Sequence, residues 1–118
     1  MEFVAYVSDD KEGIGQITAL IKRIDCDKIV CVCEKGFKLP FEDKRINRVD
    51  ADFTKPLQSL REEMKEKLKK VLSNDFEVAV SLACGKGKEH MALISALLNI
   101  PVGIRLVAFT KSGVEYLT

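Results

Sequence analysis

Phe76-Glu77-Val78-Ala79-Val80-Ser81-Leu82-Ala83, then Cys84-Gly85-Lys86-Gly87-Lys88, then Glu89-His90-Met91-Ala92-Leu93-Ile94-Ser95-Ala96-Leu97-Leu98 is the stretch from which the fold is read. The first segment is a short apolar run, the pattern of a buried strand. The second is a turn rich in glycine and lysine. The third is an apolar segment of good helix formers. A strand, a glycine-lysine turn and a helix start in direct succession suit an anion. Glycines let backbone N–H groups approach closely, and a helix start carries unsatisfied N–H groups and partial positive charge. Lys86 and Lys88 add full charges, so the expected cargo is a phosphate.

The pattern extends outward in both directions. Phe3 to Val7 is apolar without alternation and reads as a strand covered on both faces. Ser8 to Gly13 is a polar loop, and Ile14, Ile17, Leu20, Ile21 and Ile24 place an amphipathic helix over Gly15 to Arg23. Lys28 to Cys33 is a second strand. Glu34 to Arg45, with Gly36 and Pro40, is a loop. Ile46 to Phe53 is a third, weaker strand. Thr54 is a candidate cap, and Pro56 fits the first turn of a helix carrying Leu57, Leu60, Met64, Leu68, Val71 and Leu72 on one face. The other face mixes acids and bases three or four apart, from Arg61 to Lys70, and reads as solvated rather than as a nucleic-acid surface. Beyond the opening stretch, Pro101 ends the helix, Val102 to Phe109 is a fifth strand, and Lys111-Ser112-Gly113 turns it back into an edge strand over Val114 to Leu117.

Strands apolar on both faces, alternating with amphipathic helices, predict an α/β three-layer sandwich over residues 1–118 as one domain. Its sheet is mostly parallel, in the order 3-2-1-4-5-6, with an antiparallel C-terminal edge strand. In that doubly wound order the chain reverses between strands 1 and 4, and ligands bind outside the carboxyl ends of the strands at such a point. The loops leaving those two strands are Ser8 to Gly13 and Cys84 to Lys88, the two polar, glycine-containing loops already picked out.

Composition narrows the function. With 118 residues, 47% hydrophobic and 31% charged, and a net charge of +1, the chain matches a compact globular domain without a global basic footprint. Long nucleic acid is not an expected partner. No apolar run long enough for a membrane helix and no secretory leader is read, so a cytoplasmic location is expected. The cysteines at 26, 31, 33 and 84 lack the paired spacing of a metal site and read as buried thiols. No metal and no cofactor is expected.

The glycine-lysine turn is not a Walker A loop, since it lacks the first glycine at the right distance and no Ser or Thr follows the lysine, and there is no dinucleotide fingerprint, since Gly13-Ile14-Gly15 lacks the third glycine. Ser8 can hydrogen-bond a phosphate or a ribose hydroxyl, or serve as a turn residue. Asp9 and Asp10 repel a phosphate unless a cation intervenes, and otherwise sit in a solvated loop. His90, the sole histidine, is either an acid-base group or a surface residue of the first helical turn. Cys84 at a helix start is a thiolate candidate whose only available base is His90.

The chain resembles the CRISPR-associated Rossmann-fold (CARF) sensor domains. The resemblance covers the element order, the terminal hairpin and the long charged helix before strand 4. At residue level it lies in Ser81-Leu82-Ala83-Cys84-Gly85-Lys86-Gly87-Lys88-Glu89-His90-Met91, which stands where those domains carry Asn-hydrophobic-Thr-Gly-Gly-Thr-Lys-x-Met. Gly85 matches the second glycine, Met91 fits the following helix, and the lysine matches Lys88 with one residue added or Lys86 with one removed. The resemblance implies a Rossmann-like homodimer with a cyclic oligoadenylate or related nucleotide across its interface. The ligand would be held by Ser8, Asp9, Gly13, Cys84, Gly85, Lys86, Gly87, Lys88 and His90. A stand-alone member can be a metal-independent ring nuclease, and Ser8 with Lys86 or Lys88 would then support attack of a ribose 2′-hydroxyl on its neighbouring phosphate. The alternatives are a non-enzymatic structural or regulatory dimer module acting through a protein partner, and a small-molecule phosphohydrolase or transferase.

Overall fold

The computed structural model describes residues 1–73 and 76–118. Six strands form one sheet: β1 (Glu2–Tyr6), β2 (Ile29–Glu34), β3 (Ile46–Ala51), β4 (Glu77–Ser81), β5 (Gly103–Thr110) and β6 (Gly113–Tyr116). Its order is β3-β2-β1-β4-β5-β6, parallel except for the β5–β6 hairpin. The sheet is therefore Rossmann-like and doubly wound, with its switch point between β1 and β4, the order and the antiparallel edge the sequence predicts. Three helices complete the chain: α1 (Lys11–Arg23), α2 (Leu57–Val71) and α3 (Gly87–Leu98). Helices α2 and α3 pack side by side. Right-handed crossovers leave α1 on the opposite face.

The central strands explain the apolar runs. β1 is buried along its whole length, and in β2 only Glu34 is partly exposed. Parallel neighbours and helices on both faces leave no solvent side. The amphipathic stripes of α1 and α2 bury Ile17, Leu20 and Ile21, and Leu60, Met64 and Leu68. The loop between β2 and β3 is not idle: Phe37, Leu39 and Phe41 pack on the core.

Several boundaries move for local reasons. Helix α1 starts at Lys11, four residues before Gly15, because the Asp10 side chain accepts a hydrogen bond from Gly13 N at 3.1 Å and caps the helix. Thr54 is not the cap of α2. Its N–H and hydroxyl both donate to Asp52 Oδ1, and Pro56 holds the cap position without a side-chain bond. Phe76 lies outside β4 and is 92% exposed, so it is no core residue. Strand β3 ends at Ala51, two residues short of Phe53, and α3 opens at Gly87.

Polar side chains close the helix ends. The Arg45 guanidinium donates to Ile21 O at 2.8 Å and to Ile24 O and Cys26 O at 3.4 Å, satisfying carbonyls at the end of α1. Asp43 holds that guanidinium with two bonds of 2.9 Å. At the other pole Glu2, 1% exposed, accepts from Ser73 N and Ser73 Oγ and pairs with Lys28 at 3.4 Å. The charged face of α2 is not wholly solvated either. Glu63 accepts from Lys55 at 3.0 Å, Lys67 at 2.8 Å and Asp52 N at 3.3 Å, tying α2 to the turn after β3.

Burial opposes ionisation of Glu63, but those hydrogen bonds outweigh it and hold its carboxyl down at about 2, against an ordinary 4.5. A carboxyl lowered in the folded state contributes stability above its unfolded value and loses it as pH falls through the folded one. Wild-type stability is therefore expected to drop between about pH 4.5 and 2 through this group. Glu63→Gln should flatten that limb while losing stability at pH 7. Chemical denaturation at pH 3 and pH 7 reads it, and an equal penalty at both would remove Glu63 from the acid response.

Candidate functional site

The segments leaving β1 and β4 meet outside the carboxyl edge of the sheet. They touch at Gly13, where an added Cβ would lie 2.5 Å from Cys84 Sγ and 2.7 Å from Ala83 O. Only a residue without a side chain lets the start of α1 sit on the β4–α3 turn. That turn is fixed in its own way. Gly85 has φ +93, and a Cβ there would lie 2.7 Å from the Tyr6 ring. Tyr6 in turn packs on Phe53, with ring centroids 4.8 Å apart at 53°.

Between the two segments lies a crevice of about 350 Å³, lined by Tyr6, Ser8, Asp9, Asp10, Gly85, Lys86 and Glu89. It gathers Ser8, Asp9, Gly85 and Lys86 from the residues expected at the site. Lys86 is exposed, and among the described residues no hydrogen bond or ion pair engages its ammonium. Ser8 O accepts from Asp10 N at 2.9 Å, and the Ser8 side chain stands beside the Tyr6 phenol. Burial raises the pKa of that phenol, the Glu89 carboxylate adds to the rise, and the Ser8 hydroxyl opposes it.

The remaining expected residues are placed otherwise. The Lys88 ammonium donates to Phe53 O at 2.9 Å, bracing the start of α3 against the turn after β3. His90 Nε2 lies 2.7 Å from Cys84 O. A carbonyl only accepts, so Nε2 carries the proton, and the ring braces the turn. Cys84 is fully buried under Gly13, and burial raises its pKa. It is a packed thiol, not the thiolate that a helix start alone would suggest. The other thiols are also free and buried, and burial pushes Cys31 up to about 12 and Cys33 to about 11. Gly13 and Gly87 offer backbone alone.

Two contributors escaped the sequence reading. Glu89 Oε1 accepts from Lys86 N at 3.1 Å and closes the start of α3 with the chain's own carboxylate. The three-residue spacing of a capping box was its only signal. Tyr6, read as plain strand packing, forms the floor under Gly85. With Asp9, Asp10 and Glu89 against Lys86, the crevice is net acidic. An incoming phosphate meets one free ammonium and two helix starts that carboxylates already cap.

Comparison of the chain with family models, with curated proteins and with solved structures finds no match. No helix among the described residues is long and apolar enough to cross a membrane. No cluster of three or more His, Cys, Asp or Glu among them could hold a metal ion.

Proposed function

We propose that the crevice binds a nucleotide, with a cyclic oligoadenylate as the ligand named by the CARF resemblance, and that ligand and protein meet across a homodimer. The observation that carries this reading is the contact of the β1–α1 and β4–α3 segments at the switch point, sealed at Gly13 and Cys84. Lys86 is the lysine with a free charge, since Lys88 is committed to Phe53 O. In the ring-nuclease form of this reading a ribose 2′-oxygen attacks the adjacent phosphorus and the P–O5′ bond breaks, leaving a 2′,3′-cyclic phosphate and a 5′-hydroxyl that takes up the proton. Ser8 orients the 2′-hydroxyl, and Lys86 stabilises the negative charge that builds on the phosphorane oxygens.

Incubation with labelled cyclic tetra-adenylate, separating bound, intact and linear species, tests it. Binding with linear products is the expected result; no uptake at high micromolar concentration overturns the reading. The acidic rim yields a further expectation. Glu89→Gln keeps an acceptor for Lys86 N but removes a like charge, worth about 1 kcal/mol when screened by water. It should tighten the nucleotide about fivefold, and Lys86→Ala should weaken it and lower its salt dependence. Titrations at two salt concentrations read both, and an unchanged affinity in both variants would place the ligand elsewhere.

One observation favours the non-enzymatic dimer module. The outer side of α3 is an uncharged stripe, with Met91 60% and Leu98 69% exposed around half-buried Ile94 and Ser95. A second copy packed on this stripe would form a dimer that Lys86→Ala leaves intact and Met91→Glu disrupts, as sedimentation would show.

A further inference from the structure

A second depression lies on the far side of the Gly13–Cys84 contact, where β5 runs on past the end of β4. It is a cavity of about 450 Å³, within the roughly 300–1,000 Å³ typical of ligand pockets. The segments that line the crevice also line this cavity: Glu12 and Gly13 follow Asp10, and Ser81 to Ala83 precede Gly85. Its lining residues include the apolar Leu82, Leu106, Val107 and Leu117.

The polar groups at its edge have capacity to spare. Ser81, 1% exposed, accepts a hydrogen bond from Ala83 N at 3.2 Å, and its own hydroxyl hydrogen meets no acceptor among the described residues. Gln16 completes the ladder where β4 has stopped: its Nε2 donates to Phe109 O at 2.6 Å and its Oε1 accepts from Phe109 N at 3.0 Å. That leaves one amide N–H and one lone pair on Gln16. Glu12 adds a carboxylate that only accepts. An aliphatic chain would leave these groups unpaired, at a desolvation cost. A flat ring with apolar faces and alternating ring-nitrogen acceptors and amine donors on its rim would use them.

We propose that this cavity is a purine-base site, with Ser81 and Gln16 donating to ring nitrogens and Glu12 accepting from an exocyclic amine. The choice of purine rests on the nucleotide reading of the neighbouring crevice, but its test does not. Adenosine, which carries no phosphate, is titrated into the isotope-labelled full chain and followed by NMR. Saturable shifts are expected at the methyl groups of Leu82, Leu106, Val107 and Leu117. Ser81→Ala keeps the walls and should weaken adenosine about fivefold, the worth of one neutral hydrogen bond. Should that variant fail to fold, Gln16→Ala, which removes the other proposed donor to the ring, should weaken adenosine at least as much. Absence of saturable methyl shifts overturns the proposal, as does a cavity that responds to cyclohexanol and not to adenosine. An unchanged adenosine affinity in the folded variant also overturns it. Inorganic pyrophosphate is titrated separately and read at the amides of Lys86 to Glu89. Adenosine shifts without pyrophosphate shifts would uphold the base site and remove the phosphate reading of the crevice.

Discussion

Gly85→Ala is expected to destabilise the protein by about 3 kcal/mol and to lower its melting temperature by about 12 °C for a chain of this length. Two costs combine. At φ +93 a residue with a Cβ is strained, by about 1–2 kcal/mol. The new methyl would also lie 2.7 Å from Tyr6 Cδ2 and 2.8 Å from Cε2, and overpacking of that kind costs about 1–3 kcal/mol. The ring cannot swing aside freely, because it is 7% exposed and packed against the tilted Phe53 ring. The two costs are separable. In a Tyr6→Ala background, Gly85→Ala should cost only its backbone share, so the double-mutant cycle should show coupling of about 1–2 kcal/mol. Calorimetric melts of the four proteins supply the measurement. A Gly85→Ala penalty below about 1 kcal/mol would mean the turn relaxes, and the floor of the crevice would not be set by this pair.

Gly13→Ala and Gly15→Ala should move stability in opposite directions, although the residues lie two apart in one helix. Replacing an exposed helical glycine by alanine gains about 1 kcal/mol. At Gly15 nothing lies within 4 Å of the new Cβ, so the gain is realised. At Gly13 the same gain is outweighed by collisions with Cys84 Sγ at 2.5 Å, the end of a short and fully buried side chain, and with the backbone of Ala83 at 2.7 Å, which cannot turn aside. A net loss of about 2 kcal/mol is expected, together with separation of the two segments that line both the crevice and the cavity. Cys84→Ala should rescue Gly13→Ala in part, since it removes the sulfur and leaves the carbonyl in place. Equilibrium denaturation of the three variants decides the matter. Equal effects at positions 13 and 15 would show that the segments are not in contact.

These two glycines mark how far the sequence carries. Positions 13 and 85 were both legible as turn or loop glycines, and position 85 as part of an anion-holding recipe. Which atoms each glycine must admit was not legible, because Tyr6 meets Gly85 from 79 residues away in the chain and Cys84 meets Gly13 from 71. The facing of the Ser8 to Gly13 and Cys84 to Lys88 loops came from strand order and the pairing of Ser8 with Lys86 or Lys88 from the family resemblance, and the structure brings Ser8 and Lys86 to one crevice. Lys88 and His90 shared the same local signal as Lys86, yet tertiary partners absorbed them: Phe53 O for the lysine and Cys84 O for the imidazole. Glu89 went unread as a site residue since an acid in a helix's first turn is ordinary in sequence. Only its bond to Lys86 N shows that it occupies the place an anion would take. The loop from Glu34 to Arg45 had no periodicity, so nothing local announced that Arg45 caps α1 or that Phe37 and Phe41 pack on the core.

By itself the sequence determined the six strands, the three helices and their order in the sheet. Those follow from the periodicity of apolar residues and from the handedness of crossovers, which are local or generic. The tertiary structure alone decided the chemistry of the switch point: which lysine keeps a free charge, which carboxylates cap the helix starts, and where the cavity beside Gln16 opens. Hydrogen bonds and steric contacts between residues distant in sequence settle those questions, and such contacts leave no periodic trace along the chain.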